Sequence, residues 1–262
     1  MVDLSLIQYL LGALSGGFVG LTLGLVGGGG SILAVPLMLY LVGLKDPHMA
    51  IGTSAFAVAA NAAFGALSHA RSGNVKWRCA SMYAGAGVAG AFLGSTAGKA
   101  LDGQKLLFLF AIVMIVVGIM MLRGRGDTGN PEAQCNRENM PKVLGYGTGT
   151  GLFSGFFGIG GGFLIVPGLV ASTGMPILNA VGSSLVAVTA FGLTTALNYA
   201  YSGLVDWPLA FVFIGGGALG SFAGTKVAKR LSGTTGLLNT VFAGLIFVVA
   251  AHTLWQSALA FR

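Results

Sequence analysis

Two stretches of this chain carry the residue types best suited to holding a small ligand. One reads Leu25-Val26-Gly27-Gly28-Gly29-Gly30-Ser31-Ile32-Leu33-Ala34-Val35-Pro36, the other Phe157-Gly158-Ile159-Gly160-Gly161-Gly162-Phe163-Leu164-Ile165-Val166-Pro167. Each glycine in a helix interior costs about 1 kcal/mol relative to alanine, so a helix should break at both places. Both lie in apolar surroundings, and a break at membrane depth must be buried in protein or line a water-filled cavity. A short helix starting there aims free N–H groups and the positive end of its dipole at that cavity, which suits an anion. The competing reading is that the glycines only permit close packing or a turn. No strand pattern or Walker lysine accompanies them, which argues against a nucleotide-phosphate loop.

Other polar groups within the apolar runs are few. Thr53, Ser54 and Asn61 lie in one run, and Ser183, Ser184, Thr189, Thr194, Thr195 and Asn198 in another. Asn61 sits mid-run, where an unpaired amide facing hydrocarbon would be costly, so it should face protein or a cavity. The hydroxyls could line a pathway or bond back to their own helices. Arg71, at the end of a run, could draw an anion inward. All seven acidic residues, Asp3, Asp46, Asp102, Asp127, Glu132, Glu138 and Asp206, fall in loops or at run ends, so a carboxylate proton relay or a carboxylate-bound cation is not supported. No metal-ligand spacing and no cofactor motif is present. A serine–histidine dyad from Ser31 or Ser154 with His69 or His252 is the one catalytic alternative, and it lacks a G-x-S-x-G motif. A passive anion channel is the other alternative.

The elements that position these residues follow from composition. Only 8% of the 262 residues are charged and 55% are hydrophobic, against about 25% charged in a soluble domain. The surface must face lipid, and the chain has room for about eight to ten membrane segments with no soluble domain. Apolar runs fall at 4–26, 31–44, 50–70, 79–98 and 105–122, then at 143–157, 162–173, 178–202, 208–228 and 236–260. The run after each glycine-rich break has only about 12 to 14 residues, too short to cross unless it is broken or re-entrant. The basic residues sit in short clusters beside the runs, as membrane anchors rather than a nucleic-acid face. Cys79 and Cys135, in separate loops, fit no metal or redox motif and read as free thiols.

The chain is also duplicated. A shift of 130 residues aligns 52–99 with 182–229 at 19 identities in 48 positions, pairing Trp77 with Trp207 and Lys99 with Lys229. Upstream, a shift of 131 pairs Gly16, Gly20 and Gly24 with Gly147, Gly151 and Gly155, and Pro36 with Pro167. The expected organisation is a first repeat at 1–125, a polar connecting loop at 126–142 and a second repeat at 143–262. The first apolar run belongs to the repeat and is not read as a cleaved leader. Five segments per half would insert the second copy upside down, giving two inverted five-segment repeats of an all-α polytopic membrane protein. Alternate loop assignment then places ten lysines and arginines on one side and four on the other, so both termini would lie outside the cytoplasm. The remaining glycines recur every fourth residue and should let helix backbones approach closely.

The duplicated glycine-rich break ending in proline, the A-I-G-T-S and A-V-G-S-S that follow, and the S-G-x-V-x-W loop in each copy resemble the sulfite exporter TauE/SafE family of membrane permeases. The resemblance covers about residues 10 to 255. It implies a multi-pass transporter in a prokaryotic cell (inner) membrane that moves small organosulfur anions or sulfur oxyanions such as sulfite, sulfonates or sulfoacetate; the duplicated breaks lead us to expect alternating access around them, and no enzymatic activity is expected. It implies that the glycine-rich breaks with Thr53, Ser54, Ser183 and Ser184 line the pathway. Expected partners are the lipid bilayer and the anion; no nucleic acid is expected, and a homodimer is permitted without being required.

Overall fold

The computed structural model describes residues 4–123, 129–130, 133, 135–160, 162–230 and 235–260. It is helical throughout, with no strand among the described residues. The helices are α1 (Leu6–Val26), α2 (Ala34–Pro36), α3 (Pro47–Arg71), α4 (Trp77–Ala100), α5 (Gly103–Arg123), α6 (Met140–Phe157), α7 (Gly162–Thr173), α8 (Ile177–Tyr201), α9 (Trp207–Arg230) and α10 (Thr235–Ala260). A 3₁₀ turn (Gly27–Leu33) precedes α2 and a π turn (Leu37–Leu41) follows it. Among the described residues, five helices, α1, α3, α5, α8 and α9, contain stretches long and apolar enough to cross a membrane. The protein is therefore a polytopic, all-helical membrane protein. Of the expected connecting loop at 126–142, residues 126–128, 131, 132 and 134 lie outside the described residues, and its last three residues already belong to α6.

Large apolar side chains cover the outside of the bundle. Leu6, Ile7, Leu67, Leu93, Leu197, Phe211, Leu219 and Trp255 are all exposed. An apolar surface of this extent is stable only against lipid.

Helix contacts run in matched pairs. α1 packs along α9 and α4 along α6; α3 packs against α8 and α5 against α10. Glycine explains how closely the first two pairs approach. A Cβ at Gly20 would lie 2.7 Å from the Cα of Gly217, and one at Gly151 would lie 2.6 Å from the Cα of Gly87. No side chain fits in either seam, which is why the four-residue glycine spacing survives there despite its cost in helix propensity.

The chain reverses at each break. Gly30 lies against Thr22 and Leu23 of α1, while Gln8 Nε2 donates to the Val42 carbonyl at 2.9 Å. The segment after the first break thus runs back beside α1 to the end where α1 began. Gly43, at φ 84°, then turns the chain toward α3. That end of the bundle also holds the close of α4, where the His48 ring lies 3.1 Å from the Leu101 carbonyl, and the close of α8, which Lys99 caps. The opposite end holds Arg71, the start of α4 and the loop before α6, where the Asn130 amide donates to the Gly174 carbonyl at 2.8 Å.

The cysteines are not free thiols. Cys79 in the first turn of α4 is disulfide-bonded to Cys135, with Cα atoms 5.3 Å apart. Both are buried. The bond ties the loop before α6 to α4, the helix along which α6 packs.

Candidate functional site

Both glycine-rich stretches end a helix, by different geometry. After α1 the chain tightens into the 3₁₀ turn of Gly27–Leu33, whose smaller radius suits a run with no Cβ to crowd it. After α6 it turns through left-handed Gly158 and Gly160, at φ 67° and 66°, conformations that disfavour any residue with a Cβ. α7 then begins at Gly162. Gly161 lies outside the described residues.

The two breaks pack against each other. A Cβ at Gly160 would stand 3.1 Å from Val188, 3.2 Å from Val58 and 3.9 Å from the Cβ of Ser31. Val58 in α3 and Val188 in α8 are equivalent under the 130-residue shift. The breaks therefore meet where α3 and α8 cross, and Ser31 is fully buried there. Gly158 sits on Ile51, nearly two turns before Val58 on α3. Ser31, Gly158 and Gly160 thus belong to one central region, with Gly27–Gly30 directly before Ser31 in the chain and Gly162 just after Gly160.

Asn61 follows Val58 by three residues, about one helical turn. It is fully buried, and neither its Nδ2 nor its Oδ1 has a hydrogen-bond partner among the described residues. Its amide lies against Gly217 of α9, where any side chain would overlap it. Phe191, at the equivalent position of α8, lies against Gly87 of α4 and stacks on Tyr83 at a centroid distance of 6.5 Å. An amide thus occupies in one half the position that a phenyl ring fills in the other. A buried amide with no partner forfeits about 1–3 kcal/mol. Thr195 and Ser154 also bury hydroxyls that have no partner among the described residues.

The other hydroxyls selected from the sequence are engaged elsewhere. The Asp206 amide donates to Thr53 Oγ1 at 2.9 Å, and the Lys76 amide donates to Ser183 Oγ at 3.0 Å. Lys76 and Asp206 are themselves equivalent residues. Beside them, Gly52 lies against the Leu204 carbonyl and Gly182 against that of Asn74. The glycine-hydroxyl start of α3 thus docks the S-G-L-V-D-W loop of the second half, and the start of α8 docks the S-G-N-V-K-W loop of the first. Ser54 and Ser184 donate to the carbonyls of Ile51 and Val181, at 3.0 and 2.8 Å, within their own helices. Thr53→Val leaves the Asp206 amide buried without a partner and should lower stability in detergent by about 1–2 kcal/mol. The midpoint of thermal unfolding reads this, and an unchanged midpoint together with lost anion binding would return Thr53 to the pathway.

Asn198 and Arg71 stand apart from the breaks. Asn198 Nδ2 donates to Ser95 Oγ at 2.6 Å and to Thr96 Oγ1 at 3.0 Å. Lys99 Nζ donates to the Asn198 carbonyl, to Asn198 Oδ1 and to Ser202 Oγ, each at 2.8 Å. This network joins the end of α8 to α4, a role the sequence reading missed because Lys99 read only as an interfacial anchor. Arg71 is exposed at the opposite end. Ser31 does not form the serine–histidine dyad with His69. Val58, which marks the level of that serine on α3, precedes His69 by eleven residues, about 16 Å along the helix. The His252 ring packs edge-on to Tyr40 at 4.8 Å.

Paired helix breaks meeting inside a bundle of apolar spans, with hydroxyls and an amide beside them, are the architecture of a membrane transporter. The sulfite exporter TauE/SafE family profile matches residues 12–253, and the chain belongs to that family. It is 52% identical over 249 residues to a probable membrane transporter protein of Xylella fastidiosa strain 9a5c, covering 93% of this chain and 94% of the relative. It is 27% identical to the probable membrane transporter protein YdhB of Bacillus subtilis, over 86% of this chain and 89% of that one. It is 30% identical to the probable membrane transporter protein MJ0441 of Methanocaldococcus jannaschii, over 83% and 85%. No solved structure matches it.

Proposed function

We propose that this membrane transporter carries a small sulfur-containing anion, such as sulfite, a sulfonate or sulfoacetate, across a prokaryotic cell membrane. The observation that carries this reading is the meeting of the two breaks between α3 and α8, with the unpartnered amide of Asn61 one turn away. An oxyanion there would accept a hydrogen bond from Asn61 Nδ2 and from backbone N–H groups freed at the break before α7.

The proposed movement is alternating access between two inverted five-segment repeats, 1–125 and 143–262. Several contacts support it. α1 begins at the Lys99 end, and its equivalent α6 begins at the Arg71 end. α1 pairs with α9 as α6 pairs with α4, so each half lends the other a helix. Among the described residues, nine lysines and arginines stand at the Arg71 end against three at the Lys99 end, which would orient the Arg71 end to the cytoplasm.

A thermal-shift series on the detergent-solubilised protein tests the substrate class. A ligand at one hundred times its Kd stabilises by about 2.7 kcal/mol. One or more of sulfite, sulfate, taurine and sulfoacetate should raise the midpoint in the wild type, and Asn61→Leu should weaken that rise. A rise with simple carboxylates alone would overturn the sulfur assignment.

A further inference from the structure

We propose that the groove between α5 and α6 binds one acyl chain of an anionic phospholipid, with Lys142 holding the headgroup phosphate. The groove has a volume of about 600 Å³ and is lined almost wholly by apolar atoms, with Val113, Val116 and Met120 on one wall and Gly145 and Gly149 on the other. Lys142 is the one charged residue among the described residues that line it. It lies in the first turn of α6, exposed, at the Arg71 end of the bundle, and has no carboxylate partner among the described residues. Positions 142, 145 and 149 follow one face of α6, so the cation stands at the mouth and the glycines form the floor.

These two glycines differ from those in the helix seams. A Cβ at Gly145 or Gly149 would meet nothing within 4 Å, so no helix contact accounts for them. Each costs about 1 kcal/mol of helix propensity relative to alanine. The duplication supplies a comparison within the same chain. Under the 131-residue shift Gly145 and Gly149 correspond to Leu14 and Phe18 of α1, whose side chains project outward at 69% and 41% exposure. The seam glycines are kept in both helices, whereas the outward position is bulky in α1 and empty in α6. An apolar channel open to the membrane with a lone cation at its headgroup end matches a phospholipid in both shape and charge.

Native mass spectrometry of the purified protein, with phosphatidylglycerol and phosphatidylcholine of matched chains, tests this. The wild type should retain phosphatidylglycerol in preference. Lys142→Gln should cut that preference about fivefold, the share of one basic residue at a membrane surface. Gly149→Leu should fill the floor and remove one tightly held lipid per protein, and as its side chain enters open space the fold should stand. Equal retention of the two lipids by the wild type, or unchanged retention in Gly149→Leu, would overturn the proposal. So would displacement of the bound lipid by inorganic phosphate alone, which would make the site a phosphate site. A change of oligomeric state in Gly149→Leu with lipid retention intact would make the face a contact between copies, and would equally overturn it.

Discussion

Gly160→Leu should abolish transport while the protein still inserts and purifies. Gly160 adopts φ 66°, and a Cβ there would press on Val188 and Val58 at 3.1 and 3.2 Å. A leucine both strains the backbone, by about 1–3 kcal/mol, and drives a branched side chain into the point where the two breaks meet. The surrounding helix seams do not involve this residue, so the bundle keeps its packing. Flux in proteoliposomes should fall at least about a hundredfold, equivalent to about 3 kcal/mol at the barrier. Gly160→Ala, which brings strain with little bulk, should retain part of the flux. A leucine variant that transports at the wild-type rate would reduce the breaks to packing devices.

Gly151→Leu should have the opposite profile and remove the folded protein altogether. Its Cβ alone would lie 2.6 Å from the Gly87 Cα, a backbone atom that cannot swing aside. Accommodating a leucine would push α6 from α4 along the whole seam, and a loss above about 4 kcal/mol is expected. Gly20→Leu in the equivalent α1 seam should behave alike, because its Cβ would lie 2.7 Å from the Gly217 Cα. Gly145→Leu, on the outward face of the same helix, is the control that should keep the fold. Size-exclusion profiles of fluorescent fusions separate these outcomes: a monodisperse Gly151→Leu would show that the seam tolerates separation.

Much of this architecture was legible in the sequence because membrane segments and helix breakers are local properties. The apolar runs match the helices to within a few residues, and Gly27–Gly30 and Gly158–Gly162 fall where the helices end. The burial of Asn61 also followed from its position alone. What was not legible depends on contacts between halves. Thr53 and Ser183 looked like pathway hydroxyls because their partners, the Asp206 and Lys76 amides, are backbone groups over one hundred residues away. The Cys79–Cys135 bond spans 56 residues and joins two segments that no spacing rule relates. Asn198 read as a candidate ligand because the side chains that engage it belong to α4. Polarity in a span shows that a group must be satisfied, and only the packing shows by what.

Counterflow in proteoliposomes tests the central claim most directly. Vesicles holding the protein are loaded with unlabelled sulfite, sulfoacetate or taurine and diluted into the same labelled anion at low concentration. An alternating-access carrier with one site at the paired breaks predicts saturable, transient accumulation of label above equilibrium for at least one of these anions, absent in Gly160→Leu and in empty vesicles. Uptake that rises linearly with concentration and shows no counterflow, or counterflow that survives in Gly160→Leu, would contradict it.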